Sequence, residues 1–168
     1  MSTDIVKELG LLTLGSRLKR LGERLQGQTQ VLLDAQGLGV PASHQPLLAA
    51  LARADALSVG ELVQALGVSQ PGVTRQLGNL QAAGLVQAWQ GGEDLRLRRM
   101  RLTEAGRSYV ALAEATAWAA IRAAVTDACA GQGEALLGHL DALEQALDAQ
   151  DLATRQHQTT EGATHAPA

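Results

Sequence analysis

Residues 69–86 read SQPGVTRQLGNLQAAGLV, and the two sides of this stretch differ in chemistry. Val73, Leu77 and Leu80 recur at i, i+4 and i+7, the spacing of one buried face of an α-helix. The other side carries Gln70, Thr74, Arg75, Gln76 and Asn79. Ser69 stands at the expected N-cap, where its hydroxyl can accept from a backbone N–H that has no intrahelical partner. Gly84 suits the left-handed position that follows a helix end.

Working upstream, Ser58 caps a helix over 59–66, with Glu61 three residues on as a capping box. Leu62 and Leu66 face inward, and Gly67 ends the helix. Downstream, two strands are predicted near 85–90 and 96–102, separated by Gly91, Gly92, Glu93 and Asp94. Two short helices joined by GVS and followed by a hairpin make a helix-turn-helix with a wing. In that motif the second helix enters the major groove and its N-terminal residues reach base edges. Ser69, Gln70, Thr74, Arg75 and Gln76 are short or fork-shaped hydrogen-bonders at that end. Arg75 can pair with guanine O6/N7, and a glutamine with adenine N6/N7. Gly72 has no side chain, which lets the backbone approach a phosphate. The bland alternative is a solvated polar face, but such a face more often carries Glu and Lys than Gln, Thr, Gly and Asn.

The flanks are helical. Leu11, Leu14, Leu18, Leu21 and Leu25 step by three and four, the seam of a helix over about 4–34 that packs on another helix. Gly10, Gly15, Gly22 and Gly27 weaken it by about 1 kcal/mol each relative to Ala, so packing must hold it. After a loop at Gly37, Gly39 and Pro41, Ser43 is expected to cap a helix through about 55, with Leu47, Leu48 and Leu51 inward. Thr103 caps a long helix over about 104–129, in which ten of the twenty residues 111–130 are Ala, so a neighbouring helix can approach closely. Leu136, Leu140, Leu143 and Leu147 form a second seam in a last helix. From about 153 the chain has no apolar period and reads as a disordered tail. These elements group into a single domain over 1–152, with a winged helix-turn-helix at about 43–103 between helices at about 4–34 and 104–150.

Composition narrows the classes. Among 168 residues 46% are hydrophobic and 2% aromatic, with no Phe, so the core is built from Leu, Val and Ala. The formal charge of −3 hides a gradient. Residues 69–107 carry six Arg against three acids, whereas 108–168 carry two Arg against eight. Local sign steers a charged partner more than the total does, and the quoted stretch lies in the positive block. The lone Cys129 forms no internal disulfide, and no Cys/His set has metal-ligand spacing. No nucleophile–base pair or phosphate loop stands out, so no enzyme, cofactor or metal site is expected. The N-terminus lacks a signal-peptide pattern, and no apolar run spans a bilayer, which points to a cytoplasmic chain with no membrane partner.

LSVGELVQALGVSQPGVTRQLGNLQAAGLV (57–86) followed by DLRLRRMRLTEAGR (94–107) resembles the MarR family of bacterial transcription regulators. The shared pattern is a short helix, SQ-P-x-V-T-R, a GLV strand, an Asp-x-Arg wing and LTEAG, with VPASHQPLLAAL (40–51) aligning as the preceding helix. The fold expected is mostly α with a small β-wing, a winged helix-turn-helix DNA-binding lobe plus a helical dimerisation region. The resemblance implies a homodimer whose terminal helices interlock and whose two lobes address one pseudo-palindromic site on double-stranded DNA. The two leucine seams suit that role; packing within one chain is the alternative.

The resemblance also implies that Asp94 orients Arg96 into the minor groove, where a narrow A·T-rich groove attracts arginine. Arg98, Arg99 and Arg101 follow on the strand as candidates for phosphate contact. Many relatives are repressors released by small aromatic or phenolic anions bound between the dimer helices and the DNA lobe. By element position Arg17, His44 and Trp118 would line that pocket, with ordinary surface or packing roles as the alternative. The chain departs from the pattern in its first wing strand, LVQAWQ, which lacks basic residues and carries Trp89, and in Gln45, where an aromatic is common. Oxidant-sensing relatives carry a cysteine in the first helix; here Cys129 reads as a small buried hydrophobe. The alternative function is a winged-helix module that binds protein without recognising DNA.

Overall fold

A computed structural model describes residues 3–89 and 99–156. The predicted wing tip, with Asp94, Arg96 and Arg98, and the tail beyond 156 lie outside the described residues. The chain divides into two compact units, 1–121 and 122–168.

The first unit begins with α1 (Ile5–Glu8), a 3-10 turn (Gly10–Thr13) and α2 (Leu14–Ala35). A continuous helix from residue 4 was expected, but Gly10 takes φ +56° and reverses the chain. In one unbroken helix Asp4 and Arg20 would stand about 24 Å apart. Here the Arg20 guanidinium donates to both Asp4 oxygens at 3.1 and 3.0 Å, and Thr13 Oγ1 donates to Val6 O at 2.7 Å. The seam remains open: Leu18, Leu21 and Leu25 are 38%, 43% and 46% exposed.

The winged lobe follows in the expected order. A 3-10 turn (Ala42–His44) leads into α3 (Gln45–Arg53), β1 (Leu57–Ser58), α4 (Val59–Leu66), α5 (Gln70–Ala82), β2 (Val86–Trp89), β3 (Arg99–Leu102) and α6 (Glu104–Ala113). The three strands are antiparallel in the order β1-β3-β2, with Val86 opposite Leu102, Ala88 opposite Met100 and Leu57 opposite Met100. β1 was not expected. It is two residues long, and its Ser58 doubles as the cap of α4, accepting from Glu61 N at 3.2 Å while Glu61 Oε2 accepts from Ser58 N at 2.7 Å. Thr103 caps α6 as predicted, accepting from Gly106 N at 3.0 Å. Two expected caps are not made: neither Ser43 nor Ser69 donates or accepts a capping bond to its helix. Ser43 Oγ turns to the adjacent His44 ring instead, at 3.1 Å.

Leu47, Leu48, Leu51, Leu62, Val73, Leu77, Leu80, Val86, Met100, Leu102 and Val110 form the core of the lobe. A second cluster, Leu33, Leu38, Ala113 and Ala117, joins α2 to the long helix, and Tyr109 and Trp118 pack against both clusters. The predicted single helix after Thr103 is interrupted by a π-helical stretch, Glu114–Trp118, before α7 (Ala119–Ala128). Such wide turns occur often at functional sites.

In the second unit, Ala130 and Gly131 turn the chain at φ 47° and 78°, and α8 (Gly133–Ala149) follows. Leu136 and Leu147 of its seam are exposed, and Leu140 and Leu143 half-buried. Residues 152–156 are helical, with Thr154 N held by Asp151 Oδ1 at 2.7 Å, so order extends past the predicted start of the tail.

Candidate nucleic-acid interface

The order of polar and apolar residues in α5 sets its orientation. Val73, Leu77 and Leu80 are 4% exposed or less, which fixes the opposite face outward. Ser69, Gln70, Thr74 and Arg75 are exposed and Gln76 is half-buried, so the predicted base-contacting residues share the N-terminal half of one accessible face. Pro71 sits in the first turn, where its missing N–H has no helical partner to lose. Gly72 has a structural reason beyond the one expected. A β-carbon there would lie 2.8 Å from Val68 Cγ1 and 3.3 Å from Ser69 Oγ, so the residue lets the turn close against the helix.

The turn itself is held from α4. Gly67 takes φ +61° and its N–H reaches Val63 O at 3.0 Å, which satisfies a carbonyl at the helix end. At the other end Gly84 takes φ +70°, and Leu85 N bonds to Leu80 O at 3.0 Å.

Among the arginines after the wing, those described are engaged within the chain. Arg99 Nη2 lies 3.5 Å from Glu61 Oε1 and Nη1 donates to Ala56 O at 3.4 Å, tying β3 to the cap of α4. The hydrogen bonds from Ser58 hold the Glu61 carboxyl below its ordinary range, with Arg99 adding to the effect. Gln87 stands opposite Arg101, and with its amide oxygen toward the guanidinium it accepts from Nε at 3.0 Å and Nη2 at 3.1 Å. The same guanidinium carbon lies 5.8 Å from the centre of the Trp89 ring. Trp89 therefore packs on the wing strand. Arg99 and Arg101 brace the sheet before they meet any partner.

The three residues expected around an effector separate. Arg17 lines a cavity of about 550 Å³ with Asp4, Lys7, Arg20, Leu21 and Arg24. His44 lies against Ser43 and Asn79, and Trp118 belongs to a separate polar cluster centred on Gln45, which is 8% exposed. Gln45 Oε1 accepts from Trp118 Nε1 at 3.0 Å, and its Nε2 donates to Tyr109 Oη at 2.9 Å and Val40 O at 3.3 Å. One amide thus joins α3 to α6 and to the π-helical turn. Burial pushes the Tyr109 phenol up. Sequence reasoning noticed Gln45 only as a departure; Tyr109, which it missed, carried the signal of a lone tyrosine in a chain poor in aromatics.

Burial and the nearby Arg75 charge lower the His44 pKa, which favours the neutral ring. Among the described residues no group of three or more His, Cys, Asp or Glu could hold a metal ion. No described helix is long and apolar enough to cross a membrane.

A model of the MarR family matches residues 38–96. YdgJ, an HTH-type transcriptional regulator of Bacillus subtilis, is 33% identical over 72 residues, which are 43% of this chain and 44% of that protein. The chain thus spans under half the length of that curated relative. Among solved structures, the transcriptional regulator MOSR of M. tuberculosis, determined in complex with DNA, is 27% identical with a TM-score of 0.70, covering 83% of this chain and 98% of that one. A MarR-family regulator from Silicibacter pomeroyi is 29% identical with a TM-score of 0.56, covering 87% and 96%. The helix-turn-helix with its three-stranded sheet, the family match over residues 38–96 and the agreement with these structures make this chain similar to the MarR family of transcriptional regulators.

Proposed function

We propose that this protein is a sequence-specific regulator of transcription that binds double-stranded DNA as a homodimer. The observation that carries the reading is α5: its apolar face is sealed in the core, and Ser69, Gln70, Thr74 and Arg75 stand together on the open face. The DNA complex of the M. tuberculosis relative supports the same use of the lobe. Arg75 is the residue assigned to base pairing, and Asp94 and Arg96 to the minor groove. The exposed leucine seams of α2 and α8 support a second copy as partner, giving two lobes for a pseudo-palindromic site. Repression relieved by a small aromatic or phenolic anion completes the proposal, as does action in the cytoplasm where the DNA is. Family and fold are those of regulators rather than enzymes.

Selection from a pool of random duplexes, followed by a salt series on the winner, tests it. Specific binding weakens steeply with salt, and losing one phosphate-contacting Arg, such as Arg98→Ala, lowers the slope by about 1. Arg75→Ala costs about 1–3 kcal/mol and relaxes one base position. Failure to enrich any duplex at low ionic strength overturns the reading.

A further inference from the structure

Asn79 belongs to the polar side of α5, yet its amide nitrogen lies 3.3 Å from Nε2 of His44. An amide nitrogen only donates, so Nε2 accepts and the ring proton sits on Nδ1. Nδ1 is 3.1 Å from Ser43 Oγ, whose lone pairs can receive it. The imidazole is 7% exposed, so both nitrogens are committed in a place that water reaches poorly. Arg75 precedes Asn79 by four residues and lies on the same side of the helix.

We infer that neutral His44 is a positioning residue for the DNA-reading helix: by accepting from Asn79 it fixes the rotation of α5 that presents Arg75 to a base. The inference rests on the DNA-binding reading above. A proton on Nε2 removes the acceptor, sets two donors against each other and places a cation behind the Arg75 guanidinium. Among the described residues, the charge that acts on the ring is that of Arg75. Arg75 faces the ring from α5. From α2, Gln30 accepts from Ala42 N at 2.7 Å and donates to Asp34 at 2.9 Å, which keeps that carboxylate occupied. From α6, Tyr109 is held by Gln45.

Phosphate attraction and base reading respond oppositely to such a proton, since added positive charge strengthens the sequence-independent term. The informative quantity is therefore the ratio of affinity for the selected duplex to affinity for a scrambled duplex of equal length. For the wild type this ratio is expected to fall about two- to tenfold, the worth of one hydrogen bond, as pH drops from about 8 to about 5. His44→Gln keeps an acceptor near the Nε2 position without titrating, and should hold the wild-type ratio with the acid limb gone. His44→Leu should give the low ratio at every pH. An unchanged acid limb in His44→Gln overturns the inference while leaving DNA binding intact. Nitrogen NMR of the free wild-type protein gives a test independent of any duplex: the expected state is Nδ1–H, with the Asn79 side-chain amide shifting in step with the His44 titration. An Nε2–H tautomer, or an Asn79 amide indifferent to that titration, overturns it equally.

Discussion

A β-carbon on Gly106 would stand 2.0 Å from the carbonyl oxygen of Leu85, and 3.0 Å from its carbonyl carbon. That carbonyl already accepts from Thr103 N at 3.0 Å, and Thr103 Oγ1 donates to Gly84 O at 2.7 Å. The first turn of α6 therefore lies directly on the backbone at the end of α5, and glycine is what lets it. Gly106→Ala is expected to lower stability by about 3 kcal/mol, because backbone on both sides must move. Gly60, whose nearest neighbour to an added β-carbon is 4.0 Å away, is the control. Gly60→Ala should be neutral or stabilise by up to about 1 kcal/mol, and urea unfolding of the two variants checks the contrast.

Gln45 makes the second prediction. Gln45→Leu preserves size but leaves the half-buried Tyr109 hydroxyl and Trp118 N–H without their partner. The expected loss is about 2–3 kcal/mol, against about 1 kcal/mol for Tyr109→Phe, which removes only one end of one bond. Equal stability of Gln45→Leu and wild type by urea unfolding would contradict this.

The pH dependence of stability follows from His44. Its pKa in the folded chain lies below the ordinary 6.5, because burial and Arg75 disfavour the cation. The unfolded chain then binds the proton more readily than the folded one. Stability is complete above the unfolded value, falls as pH drops below 6.5, and levels off beneath the folded pKa. Urea midpoints between about pH 8 and 5 should show this slope in the wild type and a shallower one in His44→Gln.

Gly72 offers a paired test of the turn. Gly72→Ala drives a β-carbon to 2.8 Å from Val68 Cγ1 and should weaken DNA binding about tenfold by displacing the start of α5. Val68→Ala removes the obstructing methyl, so the double variant should recover most of the loss. Equal weakening in both would instead mark a direct backbone–phosphate contact at Gly72.

The open seam of α2 predicts the assembly. Wild type should sediment above the 17.5 kDa of one chain at micromolar concentration. Leu18→Glu with Leu21→Glu, both at exposed seam positions, should raise the dissociation constant at least about 100-fold by burying charge in an apolar contact. A wild-type mass of 17.5 kDa throughout would remove the dimer from the proposal.

Most of the lobe was readable because its signals are local. The Ser58–Glu61 capping box, Gly67 and Gly84 at left-handed positions, and the Val73–Leu77–Leu80 face each depend on residues within a turn or two of one another. Spacing alone therefore determined the helices, their order and which side of α5 faces out. What tertiary structure decided are contacts between residues distant in sequence. Asp4 meets Arg20 because Gly10 adopts a left-handed turn that a helical period does not reveal. Gln45 meets Tyr109 and Trp118 across more than sixty residues, since buried polar groups must find partners wherever the packing brings them. The same holds for Gly106 beneath Leu85 and His44 beside Asn79. Periodicity says that a face is buried; only the packed chain says against what.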